Sequence, residues 1–140
     1  MLTPGFAFAG DAVEFARGEV TISTQTGDHI FDVEIARTPT QHARGLMFRE
    51  SMRSDEGMLF VFDSPREVAM WMKNTLISLD MIFVNAAGKI IRVAHDTTPM
   101  SEVTIPSGGP SKAVVELNAG TAARIGVQAG DRVFFPPKSR

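Results

Sequence analysis

The chain has no cysteine. That excludes disulfides, thiol catalysis, thiolate zinc sites and a lipidated N-terminal cysteine, while leaving the compartment open, because a domain with a sufficient core needs no disulfide anywhere. It has no Lys/Arg run, and its net charge is −2. Neither nucleic acid nor an anionic membrane surface is therefore an expected partner, since both call for concentrated basic charge. No apolar stretch approaches the ~18 residues of a membrane-spanning helix. No serine stands in a G-x-S-x-G context, the glycines make no phosphate loop, and His29, His42 and His95 show no short metal spacing. No cofactor is implied, and there is no internal repeat.

What remains is the composition of an ordinary globular protein, 44% hydrophobic and 21% charged over 140 residues. That length suits one domain with a real core. Residues 1–17 read as a disordered tail or a signal-peptide remnant, 18–136 as a single β-rich domain and 137–140 as a C-terminal tail. Ala7-Phe8-Ala9 before Gly10-Asp11 has the small-x-small form of a signal-peptidase site. The matching expectation is a periplasmic or secreted protein, with a cytoplasmic one as the alternative.

β signals dominate. Glu19 to Thr24 and His29 to Ile35 alternate polar and apolar residues around Thr26-Gly27-Asp28, which predicts a hairpin. Thr38 and Pro39 suit the cap and first position of a short helix. Met58-Leu59-Phe60-Val61-Phe62 is apolar on both parities and fits a central strand buried on both faces. Asp63-Ser64-Pro65 is expected to turn the chain into two more strands, around a break at Asn74 to Ser78. Lys89 to Ala94, Lys112 to Leu117 and Arg132 to Phe135 complete the strands, with one or two helical turns between Gly120 and Ile125 stopped by Gly126. The sum is a mainly β fold, a β-sandwich or small barrel with one or two short helices. Phe60, Phe62, Trp71, Leu79, Met81, Phe83, Val115 and Val133 are expected inside.

The blocks Arg44-Gly45-Leu46-Met47-Phe48-Arg49, Gly57 to Phe62, Trp71-Met72-Lys73-Asn74-Thr75 with Leu79-Asp80, Glu116-Leu117 with Gly120, and Gly130-Asp131 follow one another in that order. In this the chain resembles the bacterial and archaeal family called domain of unknown function 192, over about Arg44 to Val133. Ser78 departs from the proline associated with that position. The resemblance implies a mainly β, jelly-roll-like domain, often in exported proteins, and no activity.

Lys73, Asn74 and Thr75 put a cation, an amide and a hydroxyl in a row, a set that suits a carboxylate, a phosphate or sugar hydroxyls. As a strand the segment would place Trp71, Lys73 and Thr75 on one face. The plainer account is structural: Asn74 bonding backbone at a turn, and Lys73 paired with a carboxylate. Glu116 shares a strand face with Val114, so it needs a partner such as Arg44, Arg49 or Lys73, or a raised pKa. The leading expectation is a non-enzymatic small-ligand-binding or accessory domain using Trp71, Lys73 and Thr75, with Asn74, Arg44, Asp80 and Glu116 around them. Two alternatives stand beside it. One is a hydrolase-type enzyme with Asp80 and Glu116 as an acid pair. The other is a Cu(I) module built on Met70 and Met72, against the commoner use of methionine as core filler. His29 and His42 are expected to be solvated.

Overall fold

The computed structural model describes residues 12–135; the expectations for residues 1–11 and 137–140, the Ala7-Phe8-Ala9 pattern included, fall outside that span. The body starts before Gly18: Phe15 packs against the core and Ala16 opens the first strand. β1 (Ala16–Thr24) and β2 (Gly27–Ala36) form the predicted hairpin, paired from Ala16↔Ile35 to Thr24↔Gly27.

Helix α1 (Pro39–Arg44) follows. The Thr38 side chain accepts from the Gln41 amide, and the Gln41 side chain accepts from the Thr38 amide, so two donors of the first turn are satisfied reciprocally. The chain then returns as β3 (Glu56–Arg66), parallel to β2. A parallel neighbour demands a crossover, and this one carries α1 over one face of the sheet.

The remaining strands are β4 (Ala69–Met70), β5 (Leu79–Val84), β6 (Ile90–Ala94), β7 (Ile105–Pro106), β8 (Ser111–Asn118) and β9 (Arg132–Phe134), with α2 (Thr121–Ile125) before the last. Seven strands form one curled sheet in the order β6-β5-β8-β3-β2-β1-β9, while β4 and β7 pair separately. At one rim the two edges meet through a bridge between Lys89 and Arg132, with the Ile90 amide donating to the Asp131 carbonyl. The mainly β expectation holds, in the form of a half-barrel with two short helices.

Each face of the sheet has its own core. Val20, Ile22, Val33, Leu59, Ile82, Ile90, Val115 and Val133 belong to one cluster. It draws on all seven strands, so it fills the concave side. Met58, Phe60, Phe62, Leu79, Met81, Phe83 and Val114 form the second, on the convex side, with Leu46, Val68 and Met72 from the covering loops. β3 and β8 are thus buried on both faces, as the unbroken apolar run from Met58 implies.

Two expectations need correcting. Asp63-Ser64-Pro65 does not leave the sheet. β3 continues to Arg66 with its register slipping after Val61, and the Lys112 ammonium takes the freed carbonyls of Phe62 and Asp63. Proline is tolerated at such an irregularity because no ladder bond is asked of it. The second concerns Trp71 to Ser78, which is not strand. Its backbone bonds run to other loops: the Met72 amide donates to Ser101, the Phe48 amide donates to Asn74, and the Met100 amide donates to Thr75. Asn74 sits at a φ of 54° in the turn.

Gly57 marks the tightest crossing. A Cβ there would lie 2.5 Å from the Glu116 carbonyl oxygen and 2.6 Å from Leu117 Cδ2. Gly57→Ala forces β3 away from β8, and urea unfolding is expected to show a loss of about 2–3 kcal/mol.

Candidate functional site

α1 and the segment 66–75 face each other across the convex core, and between them lies a cleft of about 340 Å³. α1 contributes His42 and Arg44. The end of β3 and the stretch after it give Phe60, Phe62, Arg66 and Glu67; β4 and the following turn give Met70, Trp71, Lys73 and Thr75; Glu116 comes from β8. The far wall is pinned in place. The Ser107 amide donates to the Val68 carbonyl, the Ser107 hydroxyl accepts from the Val68 amide, and β4 pairs with β7 beside them.

Glu116 is the chemical centre of this cleft. Its strand neighbours are Met58 on β3 and Met81 on β5, both fully buried, and residues directly opposed in an antiparallel pair share a face. The carboxyl is therefore flanked by thioethers and phenyl rings. It takes no hydrogen bond or ion pair among the described residues; Arg49, one expected partner, binds Glu34 instead. Burial raises its pKa from 4.5 to about 8, so at neutral pH it is predominantly an uncharged acid. No buried side-chain oxygen among the described residues lacks both a partner and surface, so the unpartnered Glu116 oxygens reach open cleft space.

The walls are aromatic and the rim is cationic. The Lys73 ammonium lies 5.2 Å from the centre of the Trp71 ring, and the Arg66 guanidinium 4.9 Å from that of Phe62. Lys73 thus rests on a π face rather than on a carboxylate. Trp71 itself is 43% exposed, which corrects its expected place in the core. The other seven residues expected inside are buried. Thr75 is buried and donates its hydroxyl to the Lys73 carbonyl at 3.1 Å, closing the turn.

His42 is also corrected: it is half-buried, not solvated. Its Nε2 lies 3.0 Å from the carbonyls of both Ala36 and Val61, and its ring packs 4.9 Å from that of Phe62. Two acceptors at one nitrogen require an N–H there, which leaves Nδ1 unprotonated in the neutral ring. A six-residue helix crossing a sheet must point one side at it, and His42 stands on that side. Arg66 and Phe62 were missed as cleft residues because β3 was expected to end before Arg66.

The structure gathers Arg44, Trp71, Lys73, Thr75 and Glu116 in the cleft and leaves two expected residues out. Asn74 is spent on the turn, its amide nitrogen 3.9 Å from the Met47 sulfur. Asp80 is opposed to Leu117, while Glu116 is opposed to Met81, one residue along each strand. The two carboxyls therefore point to opposite faces of the sheet, and the acid-pair arrangement is not formed. Asp80 is structural instead. It accepts from the Asp96 amide at 3.0 Å and from the Ala122 amide at 2.9 Å, capping α2 from a distance where Gly120 has no side chain to do so. Met70 and Met72 are separated as well. Met70 lines this cleft, whereas Met72 is 1% exposed and its sulfur accepts from the Thr97 hydroxyl, so the pair offers no shared metal position. The described residues hold no cluster of three His, Asp or Glu side chains fit for a metal.

With fold and cleft defined, comparison places the protein. The model of the DUF192 family, described as an uncharacterized ACR, matches residues 20–135. The chain belongs to that family. A crystal structure from Sinorhizobium meliloti 1021, of a protein provisionally ascribed to transcription regulation, is 44% identical with a TM-score of 0.84, covering 88% of this chain and 96% of that one. A protein of unknown function from Novosphingobium aromaticivorans DSM 12444 is 38% identical with a TM-score of 0.84, over 91% of this chain and 96% of its own. Proteins with curated functions give no match.

Proposed function

We propose that the domain is a non-enzymatic binding module whose small ligand sits in the cleft between α1 and residues 66–75. The observation that carries this is Glu116: a buried, uncharged acid without a partner among the described residues, opening onto a cavity edged by Lys73, Arg66 and Trp71. A polar group left unpaired under a core costs stability, and a ligand that completes it recovers that cost. The cavity lies near the lower end of the ~300–1,000 Å³ range of small-ligand sites. Catalysis has less support, because Asp80, the second carboxylate such chemistry would use, lies across the sheet. The transcription regulation provisionally ascribed to the Sinorhizobium protein is not favoured here where it would require direct contact with nucleic acid, because the net charge is −2.

Trp71 is the only tryptophan and stands at the mouth of the cleft, so its fluorescence reports occupancy directly. A panel of sugars, phosphates, carboxylates, amines and peptidoglycan fragments is expected to contain a compound that changes this emission and raises the melting temperature. At about 100 times its dissociation constant it adds about 2.7 kcal/mol. Lys73→Ala should weaken the hit, and Trp71→Ala should do the same in the melting assay. Binding that ignores both substitutions would place the ligand elsewhere.

A further inference from the structure

The ionisable groups around the cleft are unequal in sign. Arg44 and His42 come from α1, Arg66 and Glu67 from the end of β3 and just beyond, Lys73 from the turn after β4 and Glu116 from β8. Lys73 and Arg66 bring positive charge to the rim, and among the described lining residues Glu67 is the one carboxylate set against them while Glu116 holds its proton. Among the described residues Lys73 and Arg66 make no ion pair. Their neighbours are the ring faces of Trp71 and Phe62. A cation resting on a ring keeps its N–H donors available, and the ring beside it offers a flat apolar surface. The floor is different in kind: one carboxylic acid, walled by Met58 and Met81, able to donate a single hydrogen bond.

A complementary ligand has an anionic end for the rim, an apolar or flat body for the walls, and an uncharged acceptor oxygen for the floor. We propose that the cleft takes a small organic acid, its carboxylate held by Lys73 and Arg66 and a carbonyl or hydroxyl oxygen accepting a hydrogen bond from Glu116. This rests on the cleft being the ligand site. A cationic ligand fits poorly, since it would pass Lys73 and Arg66 at the rim and, at the floor, find a counter-charge only by ionising Glu116 among apolar groups.

Calorimetric titration with phenylpyruvate, phenylacetamide, benzylamine and phenyl phosphate separates the outcomes. Phenylpyruvate is expected to bind at least about tenfold more tightly than the amide or the amine, and Lys73→Met and Arg66→Met should each remove about tenfold of its affinity. Glu116→Met should weaken it comparably. Glu116→Gln, which still donates, should stay within about threefold at neutral pH. Wild-type affinity for phenylpyruvate should fall between about pH 7 and about pH 9, as Glu116 loses its proton, and that of Glu116→Gln should not. If benzylamine or phenyl phosphate binds best and Trp71→Ala abolishes it, the cleft is a ligand site and the acid class is wrong. If no probe of any charge binds, both readings fail.

Discussion

Replacing Glu116 with glutamine is expected to stabilise the protein, by an amount that grows with pH. The folded-state pKa of about 8 lies above the ordinary 4.5. Between those values the folded protein keeps a proton that the unfolded chain releases, so the wild-type stability is complete below about pH 4.5 and declines as pH rises through about 8. The decline runs at about 1.4 kcal/mol per pH unit, or about 3 kcal/mol by neutral pH and about 5 kcal/mol above pH 8. Glutamine cannot ionise and escapes this term. Urea unfolding of both proteins at about pH 5, 7 and 8.5 should give curves that diverge with rising pH. Parallel curves would mean that Glu116 is solvated or paired in solution, and the floor of the cleft would lose its chemistry.

Phe60→Ala is expected to cost about 3–5 kcal/mol, because a close-packed phenyl leaves a cavity its surroundings cannot fill. Phe60 is 2% exposed, paired with Ala36 on one side and Val114 on the other. Its ring passes beneath Gly45, where an added Cβ would come within 3.2 Å of it, and lies 6.0 Å from His42. The substitution therefore removes both a central core residue and the support of α1, and ligand binding should fall with it. Phe134, half-exposed on β9, is the control; its truncation should cost less than about 1 kcal/mol. A similar small loss at Phe60 would contradict its place in the convex core.

The parts of this architecture written locally were legible. Thr38 and Pro39 mark the start of α1 within two residues, and the hairpin of β1 and β2 follows from alternation around one turn. Glu116 could be flagged from Val114 two positions before it, since both lie on the same strand face. The segment after Trp71 was misread because its backbone partners, Phe48, Met100 and Ser101, are distant in sequence and leave no periodic trace. An aromatic among methionines resembles core, yet the turn at Lys73-Asn74 leaves Trp71 on the surface. Asp80 and Glu116 could not be separated beforehand, because their faces depend on the register of β5 against β8, and a shift of one residue would reverse the answer. Met70 and Met72 failed as a pair for a related reason: parity along a strand says nothing once the strand ends at Met70.

The most direct measurement is an NMR titration of the Glu116 side-chain carboxyl, without ligand and with saturating phenylpyruvate. The expected midpoint is about 8 in the free protein, moving higher when the cleft is filled, because an acceptor oxygen and a nearby carboxylate both favour the protonated acid. A midpoint near the ordinary 4.5, unmoved by the probe, would contradict the buried acid and the cleft built around it.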